Sequence, residues 1–395
     1  NGEWVDGART SRNINPSDTR DVVGEYAQAD VAQARAAIAA ARAAFGKWSL
    51  STPQQRFDVL DAAGTEILPR RAELGKPAAT LASTVRLAHA QKAQFTFKYA
   101  NNQPPQHPMN VRLKEATEAI LKETNGRLEV QVFPSNQLGS DTDTLSQLRS
   151  GGVEMFNLSG LILATLVNPA ALNGLGFAFS NYDAVWKAMD GDVGAYIRAQ
   201  IAKANLLALD KIWDNGFRQI TTSTKPINSA EDLRGFKIRV PVSPMWTSLF
   251  KAFDSAPTSI NASEMYTALQ TKVVDGQENP YAVIANFKLY EVQKYISLSG
   301  HKYESTPFLM SKRTWDRMTP ADQKAVTEAA AEATQLQRRL NKEVDDKLVA
   351  ELKGKGVQID AVDRKAFMDA CAPVYTKWKS GPIGEFVTRV VQAAH

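Results

Sequence analysis

The stretch from Trp213 to Pro280 decides how this chain is read. It opens as Trp213-Asp214-Asn215-Gly216-Phe217-Arg218, continues through Phe236-Lys237-Ile238-Arg239-Val240-Pro241 and closes on Asp275-Gly276-Gln277-Glu278-Asn279-Pro280. Side chains alternate along a strand, so Phe236, Ile238 and Val240 share one face and Lys237 and Arg239 the other. Pro241 ends that strand and leaves Arg239 near its carboxyl end. Arg218 opens a second short strand, to Thr222, that crosses between two halves of the chain. Asn279 falls on a Gly-Gln-Glu-Asn-Pro turn. A guanidinium is planar, always charged and able to grip a carboxylate through two parallel hydrogen bonds. The pattern reads as a carboxylate trap rather than a catalytic centre. The plainer reading of each arginine is a surface salt bridge. For Trp213 and Trp246, core packing competes on equal terms with stacking on a ligand.

The flanking segments have an α/β rhythm. Ala93–Ala100 alternates as a strand, a loop ends in His107-Pro108, a helix covers residues 109–124, and Leu128–Pro134 is the next strand. Strand, helix, strand in that order implies a right-handed βαβ unit. A helix over 142–150 leads to a third strand, 153–158, with Ser159 just beyond its carboxyl end. Ligands of open α/β sheets lie beyond that end, so Ser159 is a pocket hydroxyl or, equally, a helix cap. Residues 206–209 begin a strand that leads into Trp213, and short strands are expected over 296–298 and 308–310. Thr319-Pro320 pairs an N-cap with proline at the first helical position. The helical pattern then runs to about Leu352, roughly 45 to 50 Å at 1.5 Å per residue, longer than one lobe.

Bulk properties narrow the function classes. The 395 residues are 44% hydrophobic and 23% charged, as in a soluble globular protein of two or three domains. Lys and Arg exceed Asp and Glu by five, but without like-charge runs, so no nucleic-acid footprint is present. A single cysteine, Cys371, rules out an internal disulfide framework. The four histidines are dispersed without metal-ligand spacing, and no metal or cofactor is expected. No apolar run reaches the roughly 18 residues of a membrane span.

The first 75 residues differ from the rest. Asn1–Val5 with Asp6-Gly7 suggests a hairpin, Asp30 caps a helix over 31–45, and Thr52-Pro53 starts another that Gly75 stops. The pieces Asn1-Gly2-Glu3-Trp4, Asn15-Pro16-Ser17 and Ala40-Ala41-Arg42-Ala43-Ala44-Phe45 resemble the extreme N-terminus of aldehyde dehydrogenases. That family's dinucleotide-binding strands, catalytic cysteine motif and general-base glutamate have no counterpart later, so an appended, mostly helical fragment is expected. Residues 76–92 read as an alanine-rich linker; Ala88-His89-Ala90 also has the spacing of a signal-peptidase site.

From Phe95 onward the chain resembles substrate-binding proteins of tripartite ATP-independent periplasmic (TRAP) transporters. Pro134-Ser135-Asn136-Gln137-Leu138-Gly139, Asn215-Gly216-Phe217-Arg218-Gln219, Leu233-Arg234-Gly235-Phe236-Lys237-Ile238-Arg239-Val240-Pro241, Val274-Asp275-Gly276-Gln277-Glu278-Asn279-Pro280 and Thr319-Pro320-Ala321-Asp322-Gln323 carry the resemblance in order. It implies an α/β, two-lobed solute-binding fold with crossing hinge strands and a long C-terminal helix. Lobe I would comprise 93–215 with 305–344, and lobe II 216–304 with 345–395. It further implies a non-enzymatic, monomeric periplasmic receptor that closes on an organic acid and hands it to TRAP permease subunits. The family's selectivity arginine falls on Arg239, a second arginine on Arg218 and its polar turn residue on Asn279. Trp213, Phe217, Ser159, Trp246 and His107 are further pocket candidates. The aromatic candidates admit a bulky oxo or hydroxy acid, while two arginines in one pocket favour a dicarboxylate or uronate. The competing functions are a dehydrogenase-derived enzyme and a solute-sensing module for a partner protein.

Overall fold

The computed structural model describes residues 9–15, 18–28, 30–49 and 93–393, and the chain divides after Ala90 into two units. In the first unit, strand β1 (Arg9–Asn15) pairs antiparallel with β2 (Asp18–Gln28). Helix α1 (Val31–Ser49) follows, four residues longer at its end than its pattern suggests. Asp30 Oδ1 accepts from the Gln33 amide at 2.7 Å while Gln33 Oε1 accepts from the Asp30 amide at 2.9 Å, a reciprocal cap for two free N–H groups. The hairpin read at Asn1–Gly7, the helix from Thr52 and the linker over 76–92 lie outside the described residues. The β1–β2 hairpin was not legible in the sequence.

The second unit is built on one mixed sheet. In chain order its strands are β3 (Phe95–Ala100), β4 (Leu128–Phe133), β5 (Met155–Asn157), β6 (Leu206–Thr222), β7 (Lys237–Val240), β8 (Ala256–Ser259), β9 (Gly276–Asn279), β10 (Tyr295–Ser311) and β11 (Gln358–Ala361). In space they run β4-β3-β5-β10-β6-β9-β7-β8, with β11 beside β10. The β3–β4 pair is parallel around helix α2 (Pro108–Glu123), the expected βαβ unit. The two central strands, β6 and β10, are 17 residues each and join the two halves of the sheet. The sequence suggested shorter pieces: one beginning at 206–209 and leading into Trp213, and others at 218–222, 296–298 and 308–310. Polar and glycine residues interrupt the apolar pattern between those pieces, yet the strands continue through them.

Tertiary contacts explain the continuity. At the middle of β6, Gln337 Oε1 accepts from the Asp214 amide at 2.9 Å and Gln337 Nε2 donates to the Asp214 carbonyl at 2.6 Å. A side chain thus takes the backbone bonds of an irregular stretch. Gly216 there has φ +93°, beside a break in register between Glu304 and Ser305; a Cβ would sit 2.9 Å from Asp345 Oδ2. Only glycine adopts that backbone without strain.

Gln337 and Asp345 belong to the helix Pro320–Gly354, 35 residues long, as the proline-capped start promised. Its Val326, Ala329 and Ala333 pack on Tyr99, Trp213 and Phe308 in one core. Its Leu352 packs on Met265, Leu269 and Ile284 in another. A fully buried Val or Leu such as Val326 or Leu352 contributes about 1.5 to 3 kcal/mol, so the helix is held at both ends. Arg338 fixes its middle, gripping Asp190 with two bonds of 2.8 Å.

Candidate functional site

Strand ends meet at a cleft in this sheet. Arg239 comes from the carboxyl end of β7, Asn279 from the end of β9, and Arg218 and Glu304 from the crossing strands β6 and β10. Asn157 ends β5, Ser159 follows it, and Asp141 is the first residue of helix α3 (Asp141–Ser150). The enclosed cavity is about 40 Å³, room for a few water molecules. A second chamber of about 330 Å³ adjoins it, sharing Asn102, Ala262 and Phe287 as walls.

The two arginines have different surroundings. Arg218 is saturated by protein. It forms ion pairs with Glu278, to which Nη2 donates at 2.7 Å, and with Glu304 at 2.7 Å from Nη1. Burial opposes its charge, but the two carboxylates outweigh burial and hold its pKa above the ordinary value. Glu278 is likewise desolvated, yet the Arg218 charge pulls it down to about 2. The network continues: Lys302 Nζ donates to Glu304 at 2.7 Å, Ser159 Oγ donates to Glu304 at 2.6 Å, and His301 Nε2 meets Glu278 at 3.1 Å. Burial pushes Lys302 down to about 8 and keeps His301 on the neutral side.

Arg239 is 2% exposed and has no carboxylate partner among the described residues. Its Nε and Nη2 donate to the Ile260 carbonyl at 2.9 and 2.6 Å, which fixes the plane of the guanidinium. Among the described residues, no partner meets Nη1. Burial, then the neighbouring Arg218 charge, push Arg239 down to about 10. A buried cation at that cost waits for an anion.

Of the eight residues singled out from sequence, Arg239, Arg218, Asn279 and Ser159 line the cleft. Asn279 sits on a strand rather than the expected turn, its amide donating to Gln277 Oε1 at 2.5 Å. Ser159 fulfils both of its readings, since it also caps the next helix by accepting from the Leu161 amide at 3.3 Å. The other four lie away from the cleft lining. Trp213 is fully buried in the core under the long helix. Trp246 is buried with its ring 5.6 Å from that of His301 and Lys302 Nζ 5.2 Å above it. Phe217 packs edge-on against Tyr182 and Tyr303. His107 caps α2, its Nδ1 accepting from the Met109 amide at 3.2 Å. Burial pushes its imidazole down to about 3, so it stays neutral.

Sequence reasoning missed Glu278 and Glu304, which hold Arg218, and Asp141, Asn157, Gln103 and Asn215 in the cleft. The alternation of Lys302, Glu304 and Thr306 with His301, Tyr303 and Ser305 was the available signal for β10. For Asp141, the Ser140…Asp143 capping box marked the helix start beside it.

Comparison with known proteins places this architecture. The family described as "Bacterial extracellular solute-binding protein, family 7" matches residues 99–380, and the aldehyde dehydrogenase family matches residues 4–103. An uncharacterized protein of Sinorhizobium fredii is 37% identical over 79% of this chain, which spans 58% of that relative's length. A 2,3-diketo-L-gulonate-binding periplasmic protein of Escherichia coli is 34% identical over 73% of this chain and 86% of its own. The crystal structure of a TRAP periplasmic solute-binding protein from a Polaromonas species, bound to D-erythronate, superposes with a TM-score of 0.73 at 31% identity, covering 75% of this chain and 98% of that one.

Proposed function

The chain belongs to the bacterial extracellular solute-binding proteins of family 7, and from that premise we propose that it is the periplasmic solute receptor of a TRAP transporter, taking an organic acid on Arg239. The observation that carries this reading is the buried Arg239 guanidinium, oriented by the Ile260 carbonyl and lacking a protein carboxylate. A ligand carboxylate completes the pair that Arg218 already has internally. Charge-assisted hydrogen bonds contribute about 1.5 to 3 kcal/mol each. A micromolar affinity needs about 8 kcal/mol, so one bidentate contact supplies much of it.

Delivery requires the cleft to open and close. The two sheet halves form the lobes, 93–215 with 305–344 and 216–304 with 345–395, and β6 with β10 are the hinge strands. A ligand held by Arg239 of one lobe and by Asn157 or Asp141 of the other favours closure by binding both. TRAP permease subunits are the receiving partner. Catalysis has little support: burial pushes the Cys371 thiol up to about 12, far from the reactive thiolate.

Thermal denaturation with a broad panel of organic acids tests the reading. At least one acid raises the melting temperature, and Arg239→Met abolishes the rise. No shift with any acid, or a shift that survives Arg239→Met, overturns it.

A further inference from the structure

Two buried acids lie outside the cleft, where the chain passes between the lobes. Asp214 and Asp345 are 0 and 8% exposed, and both abut Gly216. The Gly216 amide donates to Asp214 Oδ1 at 2.9 Å, and a Cβ on Gly216 would sit 2.9 Å from Asp345 Oδ2 and 3.6 Å from Asn341 Nδ2. Strand β6 crosses the lobe boundary proposed above between residues 215 and 216. The helix Pro320–Gly354 crosses it between 344 and 345. The two carboxyls therefore meet where both elements pass from one lobe to the other.

The two acids are unequally satisfied. Asp214 takes the Gly216 amide, Asn341 Nδ2 at 2.9 Å and the Tyr303 hydroxyl of β10. Asp345 Oδ2 takes the Tyr182 hydroxyl at a long 3.4 Å, and the Ala282 amide also bonds this carboxyl. Its Oδ1 has no partner among the described residues, and neither has Asn341 Oδ1, one helical turn earlier and fully buried. Two oxygens of this kind cannot serve each other while both are acceptors; a proton on Asp345 makes one of them a donor. Among the described residues, no cation pairs with either acid. Arg338, which acts on Asp214, is spent on Asp190 and on the Ile212 carbonyl. The remaining titratable neighbours are the acid Asp346 and the phenols of Tyr182, Tyr281 and Tyr303. Two like charges held together in a buried site do not both ionise readily. Burial, then Asp214, push the Asp345 carboxyl well above the ordinary aspartate range, and burial raises Asp214 as well.

On the two-lobe reading above, we infer that Asp345 holds a proton when the lobes are closed and releases it to water when they open, so that the Asp214–Asp345 pair couples closure of the cleft to proton uptake. The conformation described is the closed one, with a cleft cavity of only about 40 Å³. Opening bends β6 and the long helix beside Gly216 and Asp345, which admits water to both carboxyls. A hydrated aspartate ionises near its ordinary value of about 4. The closed form thus binds the proton more tightly than the open form. By linkage, acidification raises the closed-to-open ratio, by up to about tenfold per pH unit for one proton. This device is separate from Asp141, which lines the cleft itself.

Pulsed electron–electron distance measurements on the full, ligand-free chain test the coupling. Nitroxide labels go on Glu118→Cys in one lobe and Gln270→Cys in the other, both exposed positions, while Cys371 is buried. From pH 8 to pH 5 the short-distance population grows about tenfold or more relative to the long-distance one. Asp345→Asn, neutral and of the same shape, keeps the acid distribution at every pH. Asp214→Asn removes the opposing charge, which raises the short-distance population at pH 8 and shrinks the response. A parent distribution that ignores pH but shortens with succinate, gluconate or glucuronate overturns the coupling and leaves the two-lobe reading intact. So does a pH response undiminished in either variant. A distance that neither pH nor any of these acids alters overturns the two-lobe reading itself.

Discussion

Arg218 and Arg239 are the same residue in the same cleft, each less than 5% exposed, and they do opposite things. Arg218 lies on a long central strand between two others that each bring it a glutamate. Its charge is used within the protein, where it joins β6, β9 and β10. Arg239 lies at the end of a short strand, bonded to a backbone carbonyl and, among the described residues, to no carboxylate. Its charge is left over. A buried ion is tolerated only when matched. Arg218 is matched by the fold; on the reading proposed above, Arg239 is matched by a ligand. Residue type and burial alone do not separate the two arginines; the presence or absence of an internal carboxylate partner does.

Breaking the matched side has the largest effect. Arg218→Met leaves Glu278 and Glu304 buried without their counterion, and chemical denaturation should show a loss of about 3 to 5 kcal/mol. Loss of less than 1 kcal/mol would mean that Lys302 and His301 can hold both carboxylates, and the two arginines would not differ in this way. Arg239→Met has the reverse profile. Ligand affinity falls at least about 100-fold, the equivalent of some 2.8 kcal/mol, while the melting temperature of the ligand-free protein holds or rises because an unmatched buried charge is gone.

Asp141 sharpens the comparison through pH. Burial raises its carboxyl to about 6, above the usual aspartate value near 4, against the opposing pull of Asn102 and Arg239. A raised carboxyl favours the folded state when protonated. That contribution is complete below about pH 4 and is lost as pH rises to about 6 and beyond. Asp141→Asn should therefore stabilise the ligand-free protein at pH 7.5 by roughly 1 to 3 kcal/mol, with the gain vanishing below about pH 4. A gain that does not change between pH 4 and 7.5 would show that the carboxyl titrates normally. Trp213→Phe has the smallest effect on binding. It removes part of a core ring and costs about 1 kcal/mol of stability, and ligand affinity stays within about twofold. A tenfold loss of affinity would bring Trp213 back into the site.

The sequence was most informative where one residue's local pattern settled its place. Pro320 with its Thr319 cap located the long helix to within two residues at its far end. The alternation around Arg239 put it at a strand's carboxyl end. It was least informative at the polar middles of the crossing strands. Asp214, Asn215 and Gly216 look like a loop, and the Asp214 backbone is paired by Gln337, more than a hundred residues away. Trp213 and Trp246 carry no local mark that distinguishes a core ring from a ligand-stacking one. The side on which each points depends on the helix or histidine packed against it.

By itself, then, the sequence determined the α/β order of elements and the long helix, and it singled out the two arginines and Asn279, which the structure brings to one cleft. Short-range patterning and stereochemistry suffice for that, because strand alternation, caps and turn residues act within a few positions. Only the tertiary structure decided which arginine was free. That depends on Glu278 and Glu304, which lie 60 and 86 positions from Arg218 and meet it only when β6, β9 and β10 pair.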